Sequence, residues 1–160
     1  MKAASKSNVY GTVSLLLKET FEGPAQTGPS AYLDKGCGLF HTLEGVNAEA
    51  ASTQSRPGGS TIAAHAEHLR FYVHVHHKLL QGSTDAIDWD ESWRIKTVNS
   101  TEWNSLRQEL RRTYTNLVDY LRSVDVWGED EAGLAMSIIA HSAYHLGAIR
   151  QLILALESPS

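Results

Sequence analysis

At 160 residues the chain has the length of one domain, 1–160, with enough material to bury a core and too little for two full domains. Hydrophobic residues at 42% and charged residues at 20% exclude a disordered or fibrous class, and a net charge of −4 argues against nucleic acid as a partner. The single cysteine, Cys37, excludes an intramolecular disulfide and makes the cytoplasm the expected compartment.

The start of the chain, Met1 to Asn8, carries lysines and serines but leads into no signal-peptide pattern. From Asn8 to Glu22 the apolar residues Val9, Val13, Leu16, Leu17 and Phe21 recur at steps of mostly three and four, which predicts a first helix with Asn8 as its cap. Gly23, Pro24, Gly28 and Pro29 then break the pattern. The long connection that follows is rich in glycine and small residues, with short helical pieces expected at Leu39 to Leu43 and Ala48 to Ser52.

Arg56, Pro57, Gly58 and Gly59 signal a turn, Ser60 is a suitable N-cap, and Ile62, Ala66, Leu69, Val73 and Leu80 space out a second helix. Ser83 to Thr101, with Trp89 and Trp93 among polar residues, reads as a packed loop. Ser100 or Thr101 then caps a third helix, whose apolar series is Trp103, Leu106, Leu110, Thr113, Leu117, Leu121 and Val124. Its one basic cluster, Arg107, Arg111 and Arg112, is interleaved with Glu109. Beyond Gly128 a fourth helix opens on Glu129, Asp130 and Glu131, the charge sign a helix start favours. Leu134, Ile138, His141, His145, Ala148 and Leu152 form its inward-facing series.

Four amphipathic helices and no convincing strand predict an all-α four-helix bundle with a long connection between the first and second helices. No segment approaches the apolar length of a membrane span, so a soluble chain with no membrane partner is expected.

His141 and His145, four residues apart, project about 40° apart and about 6 Å along one helix, so both rings can reach one point. Such a pair presents two nitrogens to a metal, although two core or interface histidines give the same spacing. The second helix offers a third nitrogen from a stripe of Thr61, His65, His68, Tyr72, Val75 and Leu79, and geometry leaves His65 and His68 as rivals. His74 and His77 point away towards solvent, His76 lies further along, and His41 sits in the long connection as a surface residue.

The run Ser60, Thr61, Ile62 leading to His68 and Leu69, and above all the run from His141 to Ile149, resemble the DinB-like proteins, also called DinB/YfiT-like metalloenzymes. The resemblance extends from about Leu39 to Gln151. It implies a four-helix bundle with three metal-ligating histidines, which fall on His68, His141 and His145. The chain departs from the family at Ala148, often glutamine there, and at His65, more often apolar.

Three neutral imidazoles suit zinc or nickel, with iron and manganese still open. Three protein ligands would leave the divalent ion an open position, the arrangement of catalytic sites. Some members of the family are thiol-dependent transferases or isomerases, so the resemblance implies a metal-dependent thiol S-transferase or isomerase acting on a small thiol and a small electrophile. A non-catalytic metal-binding stress-response protein is the alternative, and a bundle with structural histidines the third. Glu67, Tyr72, Tyr144 and His65 are the neighbours able to support the ligands, with packing or exposure as the plainer reading. Trp89, Trp93, Trp103 and Trp127 read as packing residues, any of which can line a pocket. Arg150 is a candidate anion partner, and Cys37 reads as inert. Apolar seams on the first and third helices, together with the resemblance, lead us to expect a homodimer.

Overall fold

The structure, a computed structural model, describes residues 6–157. The first five residues, most of the Met1–Asn8 start that lacks a signal-peptide pattern, lie outside them. Among the described residues there are six α-helices and no strand: α1 (Lys6–Glu22), α2 (Leu39–Glu44), α3 (Ala48–Ser52), α4 (Ile62–Leu80), α5 (Ser100–Ser123) and α6 (Glu129–Glu157), with one 3-10 turn at Trp89–Trp93. The chain is therefore all-α.

The core lies among the four long helices. α4 packs against both α5 and α6, while α1 packs against α6 and α5. Leu17 and Phe21 of α1, Leu69 of α4, Leu110 and Leu117 of α5 and Ile138 of α6 are fully buried there. Their burial follows the spacing of α5 most closely: Trp103, Leu106, Leu110, Thr113, Leu117 and Leu121 are all inside. Tyr114 joins them, stacked on Phe21 with ring centroids 4.6 Å apart. α2 and α3 fill the connection between α1 and α4, and Val46 between them accepts a 2.7 Å hydrogen bond from the buried Trp103 indole.

Three caps differ from the sequence expectation. α1 is already helical at Lys6, so Asn8 lies inside it and cannot cap it. α4 is capped by Thr61, one residue after Ser60, because the Thr61 hydroxyl accepts from Ala64 N–H and donates to the Lys96 carbonyl. α5 is capped by Asn99, whose side chain accepts from Thr101 and Glu102 while Glu102 reaches back to the Asn99 N–H. That reciprocal box satisfies amide donors which Ser100 or Thr101, already helical, leave open.

α6 corrects another expectation. By length and composition alone its 29 residues are long and apolar enough to cross a bilayer. A third of its most apolar window is buried against protein, at 33%, and the buried positions Ala135, Ile138, Ser142, His145, Leu146 and Ile149 form a face turned slightly from the expected series.

The connection after α1 is held by a buried carboxylate. Glu19 accepts hydrogen bonds from Ala31 (2.7 Å), Tyr32 (2.6 Å) and Leu33 (2.6 Å) backbone N–H groups. Burial pushes its pKa up, yet the three amide donors outweigh this and hold it below the ordinary value. Nearby, the chain passes so close that a Cβ at Gly38 would lie 2.2 Å from the Gly23 nitrogen. Glu19→Ala strands three amide donors and is expected to lower stability by about 3 kcal/mol, read as a reduced urea midpoint with helical content retained. An unchanged midpoint would show that the clamp contributes nothing.

Candidate metal centre

α4 and α6 lie side by side, and the 3-10 turn packs over α4. At this junction His68 from α4 meets His141 and His145 from α6, each offering one ring nitrogen, all within 4.8 Å of one another. His145 and His68 are buried, 2% and 8% exposed, and His141 is half-buried.

The hydrogen bonds around His68 dictate its tautomer. The Ser92 hydroxyl, itself fully buried, donates to the Trp89 carbonyl at 2.6 Å and so can only accept from the His68 ring. His68 Nδ1 lies 2.8 Å from that hydroxyl and must therefore carry the proton. Its Nε2 is left as a lone pair, 3.1 Å from His141 Nε2. Two nitrogens on a tetrahedral zinc, each about 2.0–2.1 Å from the ion, would stand about 3.3 Å apart. The His68–His141 pair is nearly at that separation, while a spacing at the 4.8 Å bound of the set would need about 1.5 Å of closure.

Ring stacking holds the set in place. Trp93 lies face to face on His68, centroids 4.1 Å apart at 20°. Tyr72 covers His141 at 3.6 Å and 13°, with its hydroxyl bonded to Ser137 on α6 at 2.6 Å. His76 stacks on the other face of Tyr72 at 3.8 Å. His65 stands beside the set, its Nδ1 2.8 Å from His145 Nδ1.

Burial disfavours charge on all these rings. The pKa of His145 falls to about 3, through burial first and then the neighbouring His141, His65 and His68. That of His141 falls to about 4, through burial and then His68 and His76. His68 is lowered by burial and by His65, and His65 by burial. Neutral imidazoles are the form a metal needs, so the donor set fits a divalent cation with nitrogen preference.

The remaining sequence candidates separate clearly. His65 lies beside the three ligand candidates and contacts only one of them by hydrogen bond. Glu67 is tied to Arg70 by two contacts of 2.8 and 2.7 Å and is engaged there. Tyr144 is 69% exposed with its ring edge towards His145 at 5.0 Å. Arg150 projects about 140° round α6 from His145, away from the site. His74 and His41 are exposed as expected. His77, expected on a solvated face, is instead half-buried against Tyr120 with its Nε2 lacking a partner, while His76, further along α4, is buried. Ser92 was missed by sequence reasoning, since a lone serine in a polar loop carries no spacing signal; Trp89 and Trp93 flanking it were the only hint.

No protein-family model, curated protein or solved structure matches this chain. The chemistry of the site therefore rests on its own residues: three neutral imidazoles from two helices, one of them held by Ser92 in the tautomer that leaves its Nε2 bare.

The depressed pKa values have a definite sign for stability. In the unfolded chain the rings protonate near the usual 6.5, whereas folded His141 and His145 resist until about 4 and about 3. Protons thus favour the unfolded chain below that value; the stability is complete above about 6.5 and is lost as pH falls towards the folded pKa values. Metal-free protein should show a urea midpoint declining from about pH 7 to about pH 4.5, and a His141→Gln, His145→Gln double variant a flatter decline. Parallel profiles would contradict this account.

Proposed function

We propose that the chain is a divalent-metal-binding protein of the DinB-like type, its long helices α1, α4, α5 and α6 making that family's four-helix bundle and His68, His141 and His145 holding the ion. The observation that carries this reading is the convergence of three neutral imidazoles within 4.8 Å at the α4–α6 junction. Zinc or nickel suits the all-nitrogen set best. With three protein ligands such an ion keeps an open position, and it supplies there a lowered pKa for a coordinated thiol or water. The activity we propose is thiol S-transfer or isomerisation on a small electrophile.

The chain's own residues would do the rest. Ser92 holds the His68 proton on the outer nitrogen. Trp93 and Tyr72 cover the faces of His68 and His141 and exclude water from those sides. The half-buried His141 and His65 mark the side from which a small thiol and its electrophile approach.

Purified protein should carry close to one metal ion per chain by elemental analysis, with His141→Ala or His145→Ala losing most of it. With cobalt installed, a small thiol should add a thiolate charge-transfer band, and thiol consumption with epoxide, halide or maleyl-type electrophiles should require the metal. Full metal content in the His68, His141, His145 triple-alanine variant would end the metal reading. Metal binding without a thiol band or turnover would leave the non-catalytic stress-response alternative in its place.

We also propose a homodimer, through α6. The outward face of α5 carries ion pairs such as Arg112 with Glu109 and Arg122 with Asp119, so its outer surface is polar and we prefer α6 as the seam. On α6, Gly133, Met136, Ala140, Tyr144, Gly147 and Leu154 are all exposed within about 80° of one side. Uncharged and rich in small residues, this strip can meet its own copy in a two-fold contact. Light scattering is expected to give twice 17.6 kDa, and Met136→Glu to reduce it to the single-chain mass; the single-chain mass for the unaltered protein would refute the dimer.

A further inference from the structure

We propose that His65 is a positioning residue for the metal site: its Nδ1 accepts the Nδ1–H of His145 and so keeps the His145 Nε2 lone pair available to the ion. The inference rests on the metal-binding reading and adds to it a role for a residue outside the ligand set.

A neutral imidazole carries one proton on two nitrogens, so whichever nitrogen is engaged as donor determines the other as acceptor. His145 Nδ1 and His65 Nδ1 are 2.8 Å apart, a hydrogen-bond distance in which one ring donates and the other accepts. If His65 donated, the His145 proton would have to sit on Nε2 and the ring could offer no second lone pair. With His145 donating, Nε2 is free. Ser92 makes the same arrangement for His68, accepting the Nδ1 proton and leaving Nε2 bare. The two most buried ligand candidates thus each have an outer hydrogen-bond partner, one a hydroxyl from the 3-10 turn and one an imidazole from α4. Outer partners of this kind fix both the tautomer and the orientation of a metal-bound imidazole.

The site also holds the His65 ring itself. It stands three residues before His68 on α4, and the Trp93 ring lies edge-on to it at 5.6 Å. Trp93 simultaneously stacks on His68, so one indole restrains both a ligand candidate and the outer partner of another.

The test compares the unaltered protein with His65→Ala, which removes the acceptor, and His65→Asn, whose amide oxygen can stand near the position of Nδ1. In metal-free protein, nitrogen NMR of the imidazoles should find His145 protonated on Nδ1, and His65→Ala should move that population towards Nε2. Competition against a chromophoric chelator with zinc should show a 10- to 100-fold weaker affinity for His65→Ala, with one ion still bound at saturation, and recovery of most of it in His65→Asn. His145 found protonated on Nε2 in the unaltered protein, or equal zinc affinity in all three forms, would overturn the proposal. Complete loss of the ion in both variants, matching His145→Ala, would overturn it by making His65 a direct ligand. Absence of metal binding in the unaltered protein would sink the proposed function, while the tautomer measurement would still decide the hydrogen bond.

Discussion

A neutral imidazole inside a protein has one N–H to place and one lone pair to satisfy, and between α4 and α6 four of these rings share a single small volume. Satisfying them by direct pairing gives the 3.1 Å contact of His68 with His141 and the 2.8 Å contact of His65 with His145. Either contact consumes a proton that the rings must hold in a specific order, because a buried polar atom left without a partner carries a substantial cost. A divalent cation accepts lone pairs without needing any proton between them. The packing of α4 on α6, the position of the 3-10 turn and the depressed pKa values all bear on this one requirement.

The surrounding structure can be understood as the framework that keeps the two helices at the necessary separation. Tyr72 spans the gap twice, stacking on His141 and bonding Ser137. Thr61 ties the first turn of α4 to Lys96 just beyond the 3-10 turn, and this keeps Ser92 and Trp93 seated over His68. Further away, the Glu19 clamp and the Phe21–Tyr114 stack close the other end of the core around α1 and α5.

The distribution of apolar surface separates two kinds of helix. α5 has a sharply two-sided pattern, with its buried face in the core and its outer face given to ion pairs. α6 is apolar nearly all round: one face enters the core and carries the histidines, and the opposite strip is exposed. The same composition that lets α6 pass as a membrane-length helix also makes it suitable for contact with a second copy. Its buried histidines tie the inner face to the proposed metal chemistry.

Local sequence determined the elements that local physics controls. The three- and four-residue spacing of Leu106, Leu110, Leu117 and Leu121 located α5, the breakers Gly23 and Pro24 ended α1 close to where it stops, and the four-residue interval of His141 and His145 put both on one side of α6. At α4 a tertiary contact accompanies the cap, Thr61 finding the Lys96 carbonyl 35 positions away, whereas the Asn99 box of α5 is local, its partners two and three residues on. Spacing alone left His65 and His68 as rivals, since three residues on a helix differ by only about 60° in direction. The fold separated them by bringing Ser92 to the His68 ring and Nδ1 of His145 to the His65 ring. Those partners are distant in the chain, so the ordering of protons around the site belongs to the tertiary structure.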